Sequence, residues 1–210
     1  MAVILLPLLQ VARLIDALNE WVGRKVAWLV LAAVLISALN AVVRKAFNTS
    51  SNAFLEVQWY LFAAIFLLGA GYTLLRQEHV RIDVVLGRFE RRTQIKVEIF
   101  GILAFLFPLV WTVVSLVNPL VIQAYQSGEM SSNAGGLIRW PVYALVPAGF
   151  VLLGLQGLSE LIKRLAFLGY LCDDPGEKRQ EKSAEEELAE AILAAEAAKQ
   201  GTSAAQGEQK

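Results

Sequence analysis

Four long stretches of the sequence contain no charged residue, and they constrain the fold more than any other feature. At 1.5 Å per helical residue, each stretch can cross a hydrocarbon core of about 30 Å. An unpaired backbone amide in lipid costs several kcal/mol, so each stretch must be helical. The sequence therefore predicts an all-α integral membrane protein with four transmembrane helices. They cover about residues 26–43, 57–75, 99–125 and 140–159.

Basic residues are distributed unevenly between these stretches. The segment between the second and third stretches and the two flanks carry most of them. Because cytoplasmic loops are enriched in Lys and Arg, we expect the middle loop and both termini to be cytoplasmic. The residues on this side are Arg13, Arg24, Lys25, Arg76, Arg81, Arg88, Arg91, Arg92, Lys96, Lys163 and Arg164, and those on the other side are Arg44, Lys45 and Arg139.

Residues 1–25 have the pattern of an amphipathic helix, with polar residues at every third or fourth position and apolar residues between them. Such a pattern is typical of a helix that lies in the membrane interface. We therefore predict a separate interfacial helix before the first span, within a membrane domain that covers residues 26–165. The polar face is Gln10, Arg13, Asp16, Glu20 and Arg24, and the apolar face is Val11, Leu14, Ile15, Leu18 and Val22.

The middle loop, residues 80–96, has a second amphipathic pattern, with Ile82, Val85 and Phe89 opposite a row of arginines. This pattern predicts a helix parallel to the membrane whose arginines meet anionic lipid headgroups. The flanking sequence supplies neither a nucleophile nor a metal site for acid–base catalysis, so we do not expect an enzyme. We instead predict a hydrogen-bonded anchor between the second span and this helix. Its residues are His79, Arg81, Asp83, Arg88 and Arg92.

Composition excludes several classes of function. Charged residues make up 18% of the chain, against about 25% in soluble proteins. One cysteine, Cys172, and one histidine, His79, exclude a bis-histidine haem, a four-cysteine cluster or a structural zinc site within one copy. We expect no cofactor and no nucleic-acid surface. After Cys172 the sequence becomes rich in alanine and glutamate, which predicts a cytoplasmic, partly disordered tail over residues 173–210.

Two groups of residues are candidates for contact with a partner. Small residues recur every four positions on the first span, a pattern that lets another helix approach closely, either within this chain or from a partner. Glu56 stands at the outer edge of the second span, where it is either part of an interfacial aromatic belt or a polar contact to a partner. Glycines on the second span favour internal packing. The candidates are Ala33, Ser37, Asn40, Ala41, Glu56, Gln58 and Trp59.

The interiors of the four spans contain no ionisable residue. Proton relays and ion or substrate sites usually leave such groups inside membrane helices. A chain that transports alone also needs broken helices or repeat symmetry, and the two halves show no convincing repeat. We therefore expect this chain to support another membrane protein.

Five motifs along the chain carry a further signal. They are Asn52 to Phe62, Gly69 to Leu74, His79 to Val84, Trp140 to Tyr143 and Gly154 to Lys163. Together they resemble the small, DctQ-like membrane subunit of TRAP (tripartite ATP-independent periplasmic) transporters, over about residues 10–165. The resemblance implies a bacterial inner-membrane subunit beside a large membrane subunit that carries the substrate and sodium sites. It also implies a periplasmic binding protein that delivers an organic acid, and a scaffold role for the small subunit.

Two other functions stay open from the sequence. One is a membrane anchor for a redox enzyme, although such anchors usually carry histidine pairs for haem. The other is a self-sufficient channel or carrier formed by several copies, with polar faces lining a pore. An absorbance spectrum would test the first function, and uptake by liposomes containing this chain alone would test the second.

Overall fold

The described part of the chain is helical. The computed structural model describes residues 2–47, 52–77, 88–133 and 135–169. The helices are α1 Ala2–Phe47, α2 Asn52–Arg76, α3 Arg91–Gly101, α4 Phe107–Ser127 and α5 Trp140–Leu168. A π-helical turn, Ile102–Leu106, joins α3 to α4. Within these residues the β-structure is one isolated bridge between Met130 and Ile138.

Among the described residues, four helical segments are long and apolar enough to cross a membrane, which agrees with the predicted number of spans. Each predicted span lies inside one of them. The predicted tail, residues 173–210, and residues 80–87 of the middle-loop helix lie outside the described residues. Residues 91–96 of that predicted helix instead belong to α3, which continues into the third span. The segments are Pro7–Phe47, Asn52–Arg76, Arg91–Ser127 and Trp140–Leu168.

The segment predicted as a separate interfacial helix is continuous with the first span. α1 runs for 46 residues without a break at residue 25. The residues of its predicted polar face lie in different environments. Asp16 and Glu20 pair with Lys163 of α5 and Arg76 of α2, whereas Gln10, Arg13 and Arg24 are exposed. The two acidic residues can lie between helices because a buried polar group is stable when it is paired. Whether the segment also touches the membrane interface stays a prediction.

Helix α5 lies at the centre of the packing. It contacts α1, α2 and the third span, whereas α2 packs mainly against α1 and α5. Glycine makes these contacts close: a Cβ atom at Gly149 would lie 2.5 Å from the backbone oxygen of Leu67 on α2. Gly71 of α2 is likewise buried against Asn19 of α1. The internal packing predicted for the second-span glycines is therefore confirmed at Gly71.

The π-helical turn has a local cause in Pro108. Proline lacks a backbone N–H and its ring clashes with the carbonyl four residues earlier, so a regular α-helix cannot pass through it unchanged. Here the N–H of Phe107 donates to the oxygen of Ile102, five residues back. The wider turn keeps the third span helical from Arg91 to Ser127.

Candidate functional site

A cluster of charged and polar side chains is buried at one end of the helical bundle, where α1, α3 and α5 meet. We call it the ionic cluster and its end of the bundle the ionic end. Such groups are stable inside a protein only when they are paired. Its residues are Asp16, Asn19, Glu98, Gln156, Ser159, Glu160, Lys163 and Arg164.

Asp16 of α1 connects the first helix to α5. Its carboxylate accepts hydrogen bonds from Ser159 Oγ at 2.7 Å and Gln156 Nε2 at 2.9 Å. It also forms an ion pair with Lys163 Nζ at 3.0 Å. Asn19 Nδ2, one turn later on α1, donates to Gln156 Oε1 at 3.0 Å. These bonds fix the position of α1 along α5.

Arg164 of α5 connects the third span to the same cluster. Its Nε donates to Glu98 Oε2 of α3 at 2.7 Å, and its Nη1 pairs with Glu160. The Arg164 residue is 5% exposed and Glu160 is 1% exposed. Lys163 Nζ also pairs with Glu160 at 2.5 Å. The buried charges therefore hold α1, α3 and α5 together.

The ion pair between Arg76 of α2 and Glu20 of α1 extends this linkage to the second helix. Its nitrogen and oxygen are 2.8 Å apart, and both side chains are about one third exposed. All four membrane-spanning segments thus have an ionic contact at this end.

From the sequence, Lys163 and Arg164 are predicted only as residues of the cytoplasmic flank, and the cluster is not predicted. The available signal was Glu160, which lies three and four residues before them on the same helical face.

At the opposite end, which we call the hairpin end, Glu56 of α2 organises the loop between α4 and α5. Its Oε2 accepts from the backbone N–H of Leu137 at 2.6 Å, and its Oε1 accepts from Asn133 Nδ2 at 2.8 Å. The Ser131 hydroxyl also donates to Oε1. Near this carboxylate, the Tyr60 hydroxyl donates to the backbone oxygen of Ile138 at 3.0 Å.

The same loop, residues 128–139, is further stabilised by its own contacts. Gly128 adopts a left-handed conformation, with φ of 62°, that ends α4. Arg139 pairs with Glu129 at 2.9 Å, and this hydrogen bond raises the pKa of the Arg139 guanidinium. Both oxygens of Glu56 are therefore engaged by an ordered loop, which neither interpretation of Glu56 from the sequence anticipated.

The predicted contact residues on the first span differ in their exposure. Ala33 is 1% exposed and belongs to the internal packing, and the Ser37 hydroxyl donates to its backbone oxygen at 2.7 Å. Asn40 is half-buried, whereas Ala41 is exposed. The small-residue pattern therefore serves internal packing at one end and leaves an accessible surface at the other.

On the second span, Gln58 is half-buried and Trp59 is 74% exposed. Trp59 lies in the wall of a cleft of about 550 Å³ at the hairpin end, together with Glu56, Tyr60 and Arg139. Of the predicted contact residues on this span, Trp59 is the most available to a second protein.

Comparison with known families decides the class of protein. Residues 33–167, more than half of the chain, match the family described as tripartite ATP-independent periplasmic transporters, DctQ component. The chain belongs to the DctQ family. No curated protein and no solved structure matches it. The family is a transporter component and not an enzyme family, so this DctQ chain is a small permease subunit of a tripartite transporter.

The predicted interfacial anchor of the DctQ chain is only partly described. His79, Arg81 and Asp83 lie outside the described residues. Arg88 and Arg92 are exposed, and Arg92 lies in the first turn of α3. The anchor as a unit stays a prediction.

The ionic cluster of the DctQ chain combines carboxylates with basic side chains. Within residues 2–47, 52–77, 88–133 and 135–169, no three His, Cys, Asp or Glu side chains are arranged to hold a metal ion. Lys163 and Arg164 lie between the three carboxylates of the cluster. This arrangement is suited to holding helices in place.

Replacing Glu56 with glutamine is expected to loosen the loop of residues 128–139. Glutamine keeps one acceptor oxygen but loses the charge, and a hydrogen bond to a charged group contributes about 1.5–3 kcal/mol. We expect amide hydrogen exchange at Leu137 to become about tenfold faster. Glu90→Gln, at an exposed position outside this loop, is the matched control and should leave exchange at Leu137 nearly unchanged. Equal exchange in both variants and in the wild type would contradict this role for Glu56.

Proposed function

We propose that this chain is the small subunit of a sodium-coupled TRAP transporter in the bacterial inner membrane. It acts there as a fixed scaffold for the large transport subunit. The transported solute is an organic acid that a periplasmic binding protein delivers. Sodium and solute sites belong to the large subunit, and this chain carries no cofactor.

The ionic cluster supports the scaffold role. A scaffold must keep its shape while a neighbouring domain moves, and buried charge pairs strongly resist separation because a lone buried charge costs about 3–5 kcal/mol. Here the fully buried pair of Arg164 with Glu160 lies within α5, and Lys163 and Arg164 also pair with the partly buried Asp16 of α1 and Glu98 of α3. Gly149 brings α5 against the backbone of α2. These ion pairs between helices are the observation that supports a scaffold role beyond the family assignment.

The orientation proposed from the positive-inside rule places the ionic end in the cytoplasm and the hairpin end in the periplasm. Both termini are then cytoplasmic. The loop of residues 128–139 and the exposed Trp59 then face the side from which a binding protein approaches. Ala41, exposed near the same end, adds a surface where a helix of the large subunit can pack closely.

Reconstitution of the transporter in liposomes tests this function. Vesicles containing the large subunit, with the binding protein outside and an inward sodium gradient, are compared with and without this chain. We expect solute uptake only when the chain is present, while the affinity of the binding protein for its ligand stays the same. Unchanged uptake without the chain would overturn the proposal. Uptake by vesicles containing this chain alone would instead favour a self-sufficient carrier.

A further inference from the structure

An open surface groove of about 730 Å³ runs between the third span and α5, and its lining residues are all apolar. One wall comes from the π-helical turn and α4, and the other comes from α5. Gly154 lets Val110 pack closely against α5 between these walls, since a Cβ atom at Gly154 would lie 3.0 Å from Val110 Cγ1. The residues that line the groove along its length include Leu103, Phe107, Val114, Val151, Gly154 and Leu158.

The length of the groove corresponds to one leaflet of a bilayer. The segment from Leu103 to Val114 extends for about 16 Å along a helix. Half of a hydrocarbon core is about 15 Å. The third span itself continues to Ser127, well beyond the end of the groove. A partner helix that crosses the membrane would need a longer surface, so a single acyl chain fits the groove better.

Basic residues lie where the headgroup of such a lipid would be. Lys96 and Arg92 are exposed on α3, and Lys96 precedes Leu103 by about two helical turns, on the same face. Leu103 is the lining residue nearest the ionic end along this span. The groove therefore continues from an apolar channel into a positively charged edge, which matches the charge of a lipid phosphate.

We propose that this groove binds one acyl chain of an anionic phospholipid whose phosphate contacts Lys96 and Arg92. The lipid fills the space between the third span and α5. It also screens the basic edge of α3. This proposal rests on the shape of the groove and on the basic residues at its edge, and it holds whether or not the chain acts as a transporter scaffold.

Native mass spectrometry of the full chain in mild detergent tests the acyl-chain part. The protein is stripped of lipid, and dioleoyl phosphatidylglycerol or dioleoyl phosphatidylcholine is added back. We expect one tightly bound phosphatidylglycerol per chain. Val151→Trp fills the groove and should abolish this binding. Val34→Trp, at an exposed position of α1 outside the groove, is the matched control and should retain it.

Charge substitutions test the headgroup part. Lys96→Gln should weaken phosphatidylglycerol binding about fivefold, because one basic residue near a headgroup contributes about 1 kcal/mol. Binding of the zwitterionic phosphatidylcholine should change less. Lys45→Gln, an exposed lysine at the hairpin end, is the control and should leave both affinities unchanged.

Three results would overturn the proposal. The first is lipid binding by Val151→Trp that equals binding by the wild type. If Val151→Trp does not fold, Leu158→Trp replaces it in this experiment. The second is equal affinity for the two lipids, unchanged in Lys96→Gln. The third is loss of the large subunit from Val151→Trp on co-purification with unchanged lipid content, which would assign the groove to a helix of that subunit.

Discussion

Replacing Arg164 with leucine is expected to lower the free energy of unfolding by about 3–5 kcal/mol. The substitution leaves Glu160 buried without the guanidinium that it pairs with, and it also breaks the bond from α5 to Glu98 of α3. Lys163 remains beside Glu160 but is already paired with Asp16, and Glu98 keeps Arg91 at 4.0 Å, so the remaining cations compensate the two carboxylates incompletely. The measurement is unfolding in detergent, followed by helical circular dichroism against temperature or added denaturing detergent.

Two further variants make this result specific. Arg139→Leu removes an ion pair whose side chains are 35% and 38% exposed, and exposed pairs contribute only about 0–1 kcal/mol. The combination of Glu160→Leu with Arg164→Leu removes both charges of the buried pair and should recover part of the loss. Equal stability of Arg164→Leu and Arg139→Leu would show that the ionic cluster does not stabilise the bundle.

Replacing Gly149 with alanine is expected to cost up to about 3 kcal/mol, because the new Cβ atom would overlap the α2 backbone. The nearest atom, the backbone oxygen of Leu67, is 2.5 Å from the Cβ position. A backbone atom cannot rotate away as a side chain can, so α2 and α5 must separate. The thermal unfolding temperature in detergent should therefore fall.

Gly101→Ala provides the matched control. No atom lies within 4 Å of a Cβ at that position. Alanine is the better helix former by about 1 kcal/mol, so this variant should be slightly more stable than the wild type. If both substitutions had the same effect, close contact at Gly149 would not limit the packing of α2 against α5.

The four spans could be predicted because their signal is local. A stretch such as residues 57–75 contains no charge, and lipid tolerates only a helix there. The ionic cluster could not be predicted in the same way. Asp16 and Lys163 are 147 residues apart in sequence, and their contact depends on the relative positions of α1 and α5. Only tertiary packing sets that register.

The partners of the N-terminal polar face are another example. The sequence places Asp16 and Glu20 on this face but does not predict which residues contact them. In the fold they pair with Lys163 and Arg76, while Arg13 of the same face is exposed. A helical pattern shows that two faces differ but does not show which residues of a face meet another helix. The exposed Leu14 is consistent with an apolar face, which is stable in contact with lipid.

The π-helical turn also decides how the third span meets α5. In an unbroken α-helix, the step from Glu98 to Val110 would rotate the two side chains about 120° away from each other. The π-helical turn between them contains about one residue more than an α-helical turn, which removes about 100° of that rotation. Glu98 and Val110 are thereby brought back into angular phase, so one neighbouring helix meets Glu98 through Arg164 and Val110 through Gly154. The irregularity caused by Pro108 thus places a charged contact and an apolar contact on the same side of the third span, where both meet α5.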